Sequence, residues 1–234
     1  DKGWLPDLDQ LRRLIRPNTK MICINNANNP TGALMDAAYL EELVAIAKEV
    51  DAYIFSDEVY RSFDQPAPSI VDLYAKGISV NSLSKTYSIP GIRVGWVASN
   101  TEVADILRDY RDYTMICAGV FDDMVATLVL ENKEAILERN RQIVEKNLAI
   151  MDAWIAKEPK ASWIRPASVS TSFVKLDVNR PIEDFALELL QDYGVLVVPG
   201  NRFDKESHVR IGYCCDKEVL QKGLEKLSQF LNKC

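Results

Sequence analysis

Two stretches, Ala52-Tyr53-Ile54-Phe55-Ser56-Asp57-Glu58-Val59-Tyr60 and Gly77-Ile78-Ser79-Val80-Asn81-Ser82-Leu83-Ser84-Lys85, decide how this chain folds. Each is a short apolar run that ends in polar, reactive side chains. Residues 52–56 and 77–83 read as buried strands, and residues 21–26 form a third apolar run of the same kind. Between residues 21–26 and 52–56 lie Leu40, Leu43, Val44 and Ala47 at helical spacing. Strands separated by amphipathic helices imply right-handed crossovers and a mainly parallel sheet. Residues 93–99 follow Lys85 after a connection too short for a full helix, so this fourth strand is expected to be antiparallel.

Outward from that centre, Asp7 is positioned to cap a helix carrying Leu8, Leu11, Leu14 and Ile15. Thr101 is expected to cap another, with Val103, Ile106, Leu107 and Tyr110 on one face. Ile136, Ile143, Val144, Leu148, Met151 and Ile155 predict one long helix over 133–157. Beyond it the pattern restarts: a strand at 171–178, a helix from Pro181 to Tyr193 closed by Gly194, strands at 195–198 and 208–213, and a terminal helix bearing Val219, Leu224, Leu227 and Leu231. The expected fold class is α/β. A partial large domain with a mainly parallel sheet, last strand antiparallel, covers 1–147, and a smaller C-terminal α/β domain covers 148–234.

The chain has 234 residues, 47% hydrophobic and 26% charged, which is globular composition. A net charge of -6 disfavours a nucleic-acid partner. The sequence has neither a run long enough to span a membrane nor a visible signal peptide, Asp1 to Ile15 being charged and amphipathic. Cys23, Cys117, Cys214, Cys215 and Cys234 are an odd set without C-x-x-C spacing, which fits free thiols in a reducing cytoplasm. The one histidine, His208, reads as a strand or surface residue, and no metal site is expected. Trp4, Trp96, Trp154 and Trp163 read as packing residues.

Ligands of parallel α/β sheets sit beyond the carboxyl ends of the strands. There the sequence offers Asn29, then Asp57 with Tyr60, then Ser82, Ser84 and Lys85: an amide, a carboxylate, a phenol, hydroxyls and an amine. That set suits an electrophilic, anionic cofactor. Neither G-x-G-x-x-G nor the P-loop pattern is present, so dinucleotide and P-loop readings lose their support. Taken singly, each residue has a plainer reading: Asp57 as a helix N-cap, Asn29 as part of a turn, Tyr60 as a buried aromatic, Arg93 as a surface ion-pair partner.

Asn-Asn-Pro-Thr-Gly (28–32), Ser-Asp-Glu-Val-Tyr (56–60), Ser-Leu-Ser-Lys-Thr-Tyr-Ser-Ile-Pro-Gly-Ile-Arg-Val-Gly-Trp (82–96) and Val-Arg-Ile-Gly-Tyr (209–213) together resemble the fold-type-I pyridoxal-phosphate enzymes. The nearest likeness is to class I/II aminotransferases of the aspartate-aminotransferase type. The resemblance runs the whole length of the chain, in the family's order. It implies that Lys85 holds pyridoxal 5'-phosphate as a Schiff base and shuttles the substrate's α-proton. It implies further that Asp57 pairs with the pyridine nitrogen, Asn29 and Tyr60 bond the phenolic oxygen, and Ser82 and Arg93 hold the phosphate. Arg210, with Asn29, would bind the substrate's α-carboxylate. An arginine between Val209 and Ile211 is costly to bury unless it meets an anion, which supports the same role on physical grounds.

The implied activity is amino-group transfer between an L-amino acid and a 2-oxo acid, by a homodimer. The same residues would serve a β-lyase, synthase or decarboxylase of the same fold type, or persist in a non-catalytic relative. Ala27 stands where many relatives carry proline. The resemblance also leads us to expect N-terminal truncation, since relatives run near 400 residues and their upstream part adds to the cofactor cradle.

Overall fold

A computed structural model describes residues 3–65, 67–167 and 169–233. Asp1, Lys2, Pro66, Ser168 and Cys234 lie outside the described residues, and with them the start of the amphipathic stretch and the fifth thiol.

The chain divides into two compact units. One runs to Asn28 and resumes over Ala33–Asn140; the other takes Asn29–Gly32 and everything from Arg141 onward. In the first unit, β1 (Met21–Asn25), β2 (Tyr53–Asp57), β3 (Gly77–Ser82) and β4 (Gly95–Ala98) form one sheet in that order. β1, β2 and β3 are parallel and β4 is antiparallel to β3, as expected from the short connection. Helices α1 (Leu8–Leu14), α2 (Ala37–Glu49) and α3 (Ile70–Leu73) bury Leu8, Leu40, Leu43, Val44, Ile46 and Ile70 against Ile22 and Ile54 of the sheet. Asp7 and Asp36 cap α1 and α2 by accepting from Gln10 N–H and Tyr39 N–H.

Helix α4 (Thr101–Arg111) starts one residue earlier in capping terms than expected. Asn100 is the N-cap, its Oδ1 accepting from Val103 N–H at 2.9 Å, and Thr101 is the first helical residue. The apolar face predicted for α4 exists but is not covered: Ile106, Leu107 and Tyr110 are exposed. α5 (Val120–Glu131) was not anticipated, because apolar residues occur around most of its circumference and blur the helical period. Its Ala126 and Val129 pack on Leu83 with Ile136. α6 (Lys133–Ile155) is the uninterrupted long helix expected, and the division between the units falls inside it.

In the second unit, β5 (Ala161–Trp163), β6 (Thr171–Leu176), β7 (Val198–Pro199) and β8 (His208–Gly212) make an antiparallel sheet ordered β5-β6-β8-β7. α7 (Ile182–Tyr193) and α8 (Lys217–Leu231) complete the unit, and Phe185 of α7 packs on Phe230 of α8 at 4.8 Å between ring centroids. Gly194 closes α7 in the left-handed conformation. The strand expected over 195–198 shrinks to Val198–Pro199. The reason is local: Val195 N–H donates back to Leu189 C=O and so belongs to the cap of α7.

Candidate active site

The first unit gathers five of the seven candidate residues at one end of its sheet. Asp57 ends β2, in register with Asn25 of β1 and Val80 of β3, and its Oδ1 accepts from Val59 N–H at 3.1 Å. That bond fixes the tight turn that carries Tyr60 away from the strand. Asn25 Nδ2 donates to the Asp57 carbonyl at 3.0 Å, tying the ends of β1 and β2. Glu58, next in sequence, is buried and fully engaged: its carboxylate accepts from Ile70 N–H at 2.9 Å and Ser79 Oγ at 2.8 Å, with Arg61 Nη1 at 3.8 Å. Glu58 anchors the 59–70 segment and leaves Asp57 as the carboxylate at the strand end.

β3 ends at Ser82, whose Oγ accepts from Ser84 N–H at 3.2 Å. Lys85 is exposed, with Nζ 5.5 Å from the centroid of the Tyr60 ring. Arg93 comes back to the same end from the far side of a short 3-10 turn. Its Nη1 donates to Pro90 C=O at 2.7 Å and reaches Ser84 Oγ at 3.4 Å. The Arg93 backbone is left-handed, φ 53, a conformation that costs energy in a non-glycine residue and that collects at functional sites. Gly95 makes this return possible: a Cβ there would lie 2.7 Å from Asn81 O and 3.1 Å from Ser82 Cβ. A cavity of about 880 Å³ opens beside Ser82, Ser84 and Arg93, with Trp96 and Arg108 also in its wall. Trp96, expected as packing, is 37% exposed.

These groups fit an anionic, electrophilic ring cofactor. Two hydroxyls and a forked guanidinium are groups that can hold a phosphate, and a carboxylate and an amine stand at neighbouring strand ends.

The second unit brings together the other two candidates. Asn29 lies in its four-residue Asn29–Gly32 segment, and Arg210 lies on β8 opposite Phe173 and Val198. Arg210 Nη1 donates to Asn29 Oδ1 at 3.1 Å, and its guanidinium carbon sits 5.7 Å from the Phe203 ring centroid. Both partners are uncharged, so neither neutralises the guanidinium. Gly32, at φ 71, has no room for a side chain, since a Cβ would fall 2.4 Å from Pro166 Cβ. That close approach and the bond from Ala167 N–H to Gly32 C=O hold the segment carrying Asn29. His208 stacks on Phe173 at 4.8 Å and is a strand residue; burial, then Lys175 and Lys205, hold its pKa below the ordinary value.

Sequence reasoning missed Thr86, Asn140 and Phe203. Phe203 ends a short 3-10 helix, Gly200–Phe203, and nothing in its surroundings in the sequence points to Arg210. Thr86 and Asn140 act through backbone groups that a sequence pattern does not display.

A family model described as aminotransferase class I and II matches residues 1–227. The chain is 30% identical over 241 residues to an aspartate aminotransferase of Thermotoga maritima, covering 99% of this chain and 61% of that protein. It is 28% identical over 235 residues to a capreomycidine synthase of Streptomyces vinaceus, covering 99% and 60%. Among solved structures, a PLP-dependent aminotransferase from Streptococcus suis superposes with a TM-score of 0.97 at 70% identity, covering 99% of this chain and 62% of that one. The chain thus spans about three-fifths of the length of these relatives.

Proposed function

The chain belongs to the class I and II aminotransferases, a pyridoxal-phosphate-dependent family, and from that premise we propose that it serves amino-group transfer between an L-amino acid and a 2-oxo acid. The observation that carries this reading is Lys85 Nζ held 5.5 Å over the Tyr60 ring. An amine beside an aromatic ring, one strand from the Asp57 carboxylate, suits a covalently held cofactor with a cationic ring.

In this reading the first part of the chain, residues 1–147, holds the cofactor, and residues 148–234 form the smaller domain that carries Arg210. Asp57 would keep the ring nitrogen protonated. Ser82, Ser84 and Arg93 would hold the phosphate, and Asn29 and Tyr60 the phenolic oxygen. When bound, pyridoxal phosphate supplies an electron sink for negative charge at the substrate's α-carbon. Lys85 Nζ, nucleophilic only as the free amine, would take the proton from the substrate's α-carbon and pass it to the cofactor. Arg210 orients the substrate by gripping its α-carboxylate with both guanidinium arms.

We further propose a homodimer. The 112–128 region exposes Tyr113, Ile116, Val120, Phe121, Met124 and Leu128, apolar side chains that favour association with another chain. Cys23, Cys117, Cys214 and Cys215 are free thiols, which supports a reducing, cytoplasmic setting.

The test is a half-reaction. Protein loaded with pyridoxal phosphate is mixed with single L-amino acids, without acceptor, and should release the matching 2-oxo acid in stoichiometric amount. Release of ammonia or carbon dioxide instead would assign a lyase or decarboxylase. A product other than the 2-oxo acid, formed without ammonia or carbon dioxide, would favour a synthase, the second reading that the likeness to capreomycidine synthase supports. Absence of any product with every amino acid would contradict the enzymatic reading.

A further inference from the structure

Thr86 follows Lys85 and is buried. Its hydroxyl makes two hydrogen bonds to one short segment. Oγ1 donates to Val59 C=O at 3.0 Å and accepts from Arg61 N–H at 3.0 Å. The residue between those two is Tyr60, whose own carbonyl accepts from Ala27 N–H at 2.7 Å. Three bonds therefore fix the backbone at Tyr60, and two come from a single hydroxyl on the residue adjoining Lys85. Thr86 is held in turn: its carbonyl accepts from Nδ2 of buried Asn140 at 2.9 Å, and Asn140 Oδ1 accepts from Arg139 Nη1 at 2.9 Å.

This arrangement differs from ordinary packing in what it ties together. One end of the hydroxyl bridge is Thr86, the next residue in the chain after Lys85, and the other end is the backbone on either side of Tyr60. Lys85 and Tyr60 meet at 5.5 Å. Attraction between an ammonium and a ring face holds within roughly 6 Å and fades beyond it. The pair thus sits near the limit of its range, where a small shift of either backbone removes the contact.

We propose that Thr86 is a positioning residue: its hydroxyl, bonded to Val59 and Arg61, sets the separation between Lys85 Nζ and the Tyr60 ring. The inference rests on the reading of Lys85 as the cofactor-bearing amine, but its test does not need bound cofactor.

In the cofactor-free chain, Lys85 is labelled with an amine-reactive reagent and followed by peptide mass spectrometry, with exposed Lys20 as internal reference. Thr86→Val keeps the shape and removes both bonds, and should speed Lys85 labelling by about two- to fivefold, the factor a contact of this kind carries. Thr86→Ser keeps the hydroxyl and should label at the wild-type rate. Tyr60→Leu removes the ring directly and should match Thr86→Val, and the double variant should gain nothing more. With pyridoxal phosphate added, the visible band should move in Thr86→Val and stay in place in Thr86→Ser. If Thr86→Val does not fold, Thr86→Ala takes its place in every arm. The proposal is overturned if the folded hydroxyl-free variant labels as wild type does. It is equally overturned if Thr86→Ser labels as the hydroxyl-free variant does, or if the Thr86 effect persists once Tyr60 is leucine.

Discussion

Arg210 donates from Nη1 to Asn29 Oδ1 at 3.1 Å, joining two residues 181 positions apart in the chain. Its strand neighbours Val209 and Ile211 are buried, and the partners facing its guanidinium, an amide oxygen and the Phe203 ring, are both neutral. We propose that this charge meets an anion from outside, the substrate's carboxylate. Arg210→Lys should therefore leave the melting temperature within a few degrees of wild type and weaken the amino-acid half-reaction. Loss of one charge-assisted hydrogen bond, about 1.5–3 kcal/mol, corresponds to roughly 10- to 100-fold in the half-saturating concentration. Saturation curves of 2-oxo-acid release would measure it, and an unchanged curve would remove Arg210 from substrate binding.

Gly95 is a position where β4 presses close on the end of β3. Alanine there meets Asn81 O at 2.7 Å, and backbone cannot yield as a flexible side chain would. Gly95→Ala should cost about 1–3 kcal/mol, as overpacking does. It should also weaken pyridoxal-phosphate binding, because Arg93 lies two residues before the displaced strand. A thermal melt and a cofactor titration check both effects, and a wild-type melt would refute the close approach.

Much of this was legible in the sequence, for physical reasons that differ by residue. The parallel strands were readable because buried strands are continuous apolar runs, and Asp57 and Lys85 because reactive groups stand at their ends. The antiparallel β4 followed from the length of one connection. Thr86 and Asn140 were not legible: they are 54 positions apart, and their bond runs through a backbone carbonyl that every residue has. α5 was hidden by its apolar composition, and β7 was overestimated because Val195 serves a helix cap, which apolar character does not reveal.

His208 gives a pH dependence with a definite sign. Its pKa in the folded chain is lowered below 6.5 by burial first, and then by Lys175 and Lys205. The unfolded chain therefore binds this proton more readily. The His208 contribution to stability is constant above about 6.5 and is lost as pH falls from there through the folded pKa. Melting temperatures of wild type and His208→Gln should differ by a constant amount above pH 7, and wild type should fall relative to the variant toward pH 5. Parallel curves over that range would contradict the assignment.

Phe121 is 83% exposed and Tyr113 87%, and among the described residues β1 and β4 each have one edge without a partner strand. Apolar surface and open edges both favour association with another chain. Size-exclusion chromatography should show apparent mass rising with concentration, and Tyr113→Asp with Phe121→Asp should reduce that rise. A clean monomer across a wide concentration range would count against the proposed interface.

Lys85 is the amine we propose to hold pyridoxal phosphate. Adding the cofactor, reducing with borohydride and mapping the modified peptides tests it most directly. One dominant adduct is expected, on Lys85, absent in Lys85→Ala and diminished in Asp57→Asn. Adducts scattered over surface lysines, with Lys85 labelled no faster than Lys20, would contradict it.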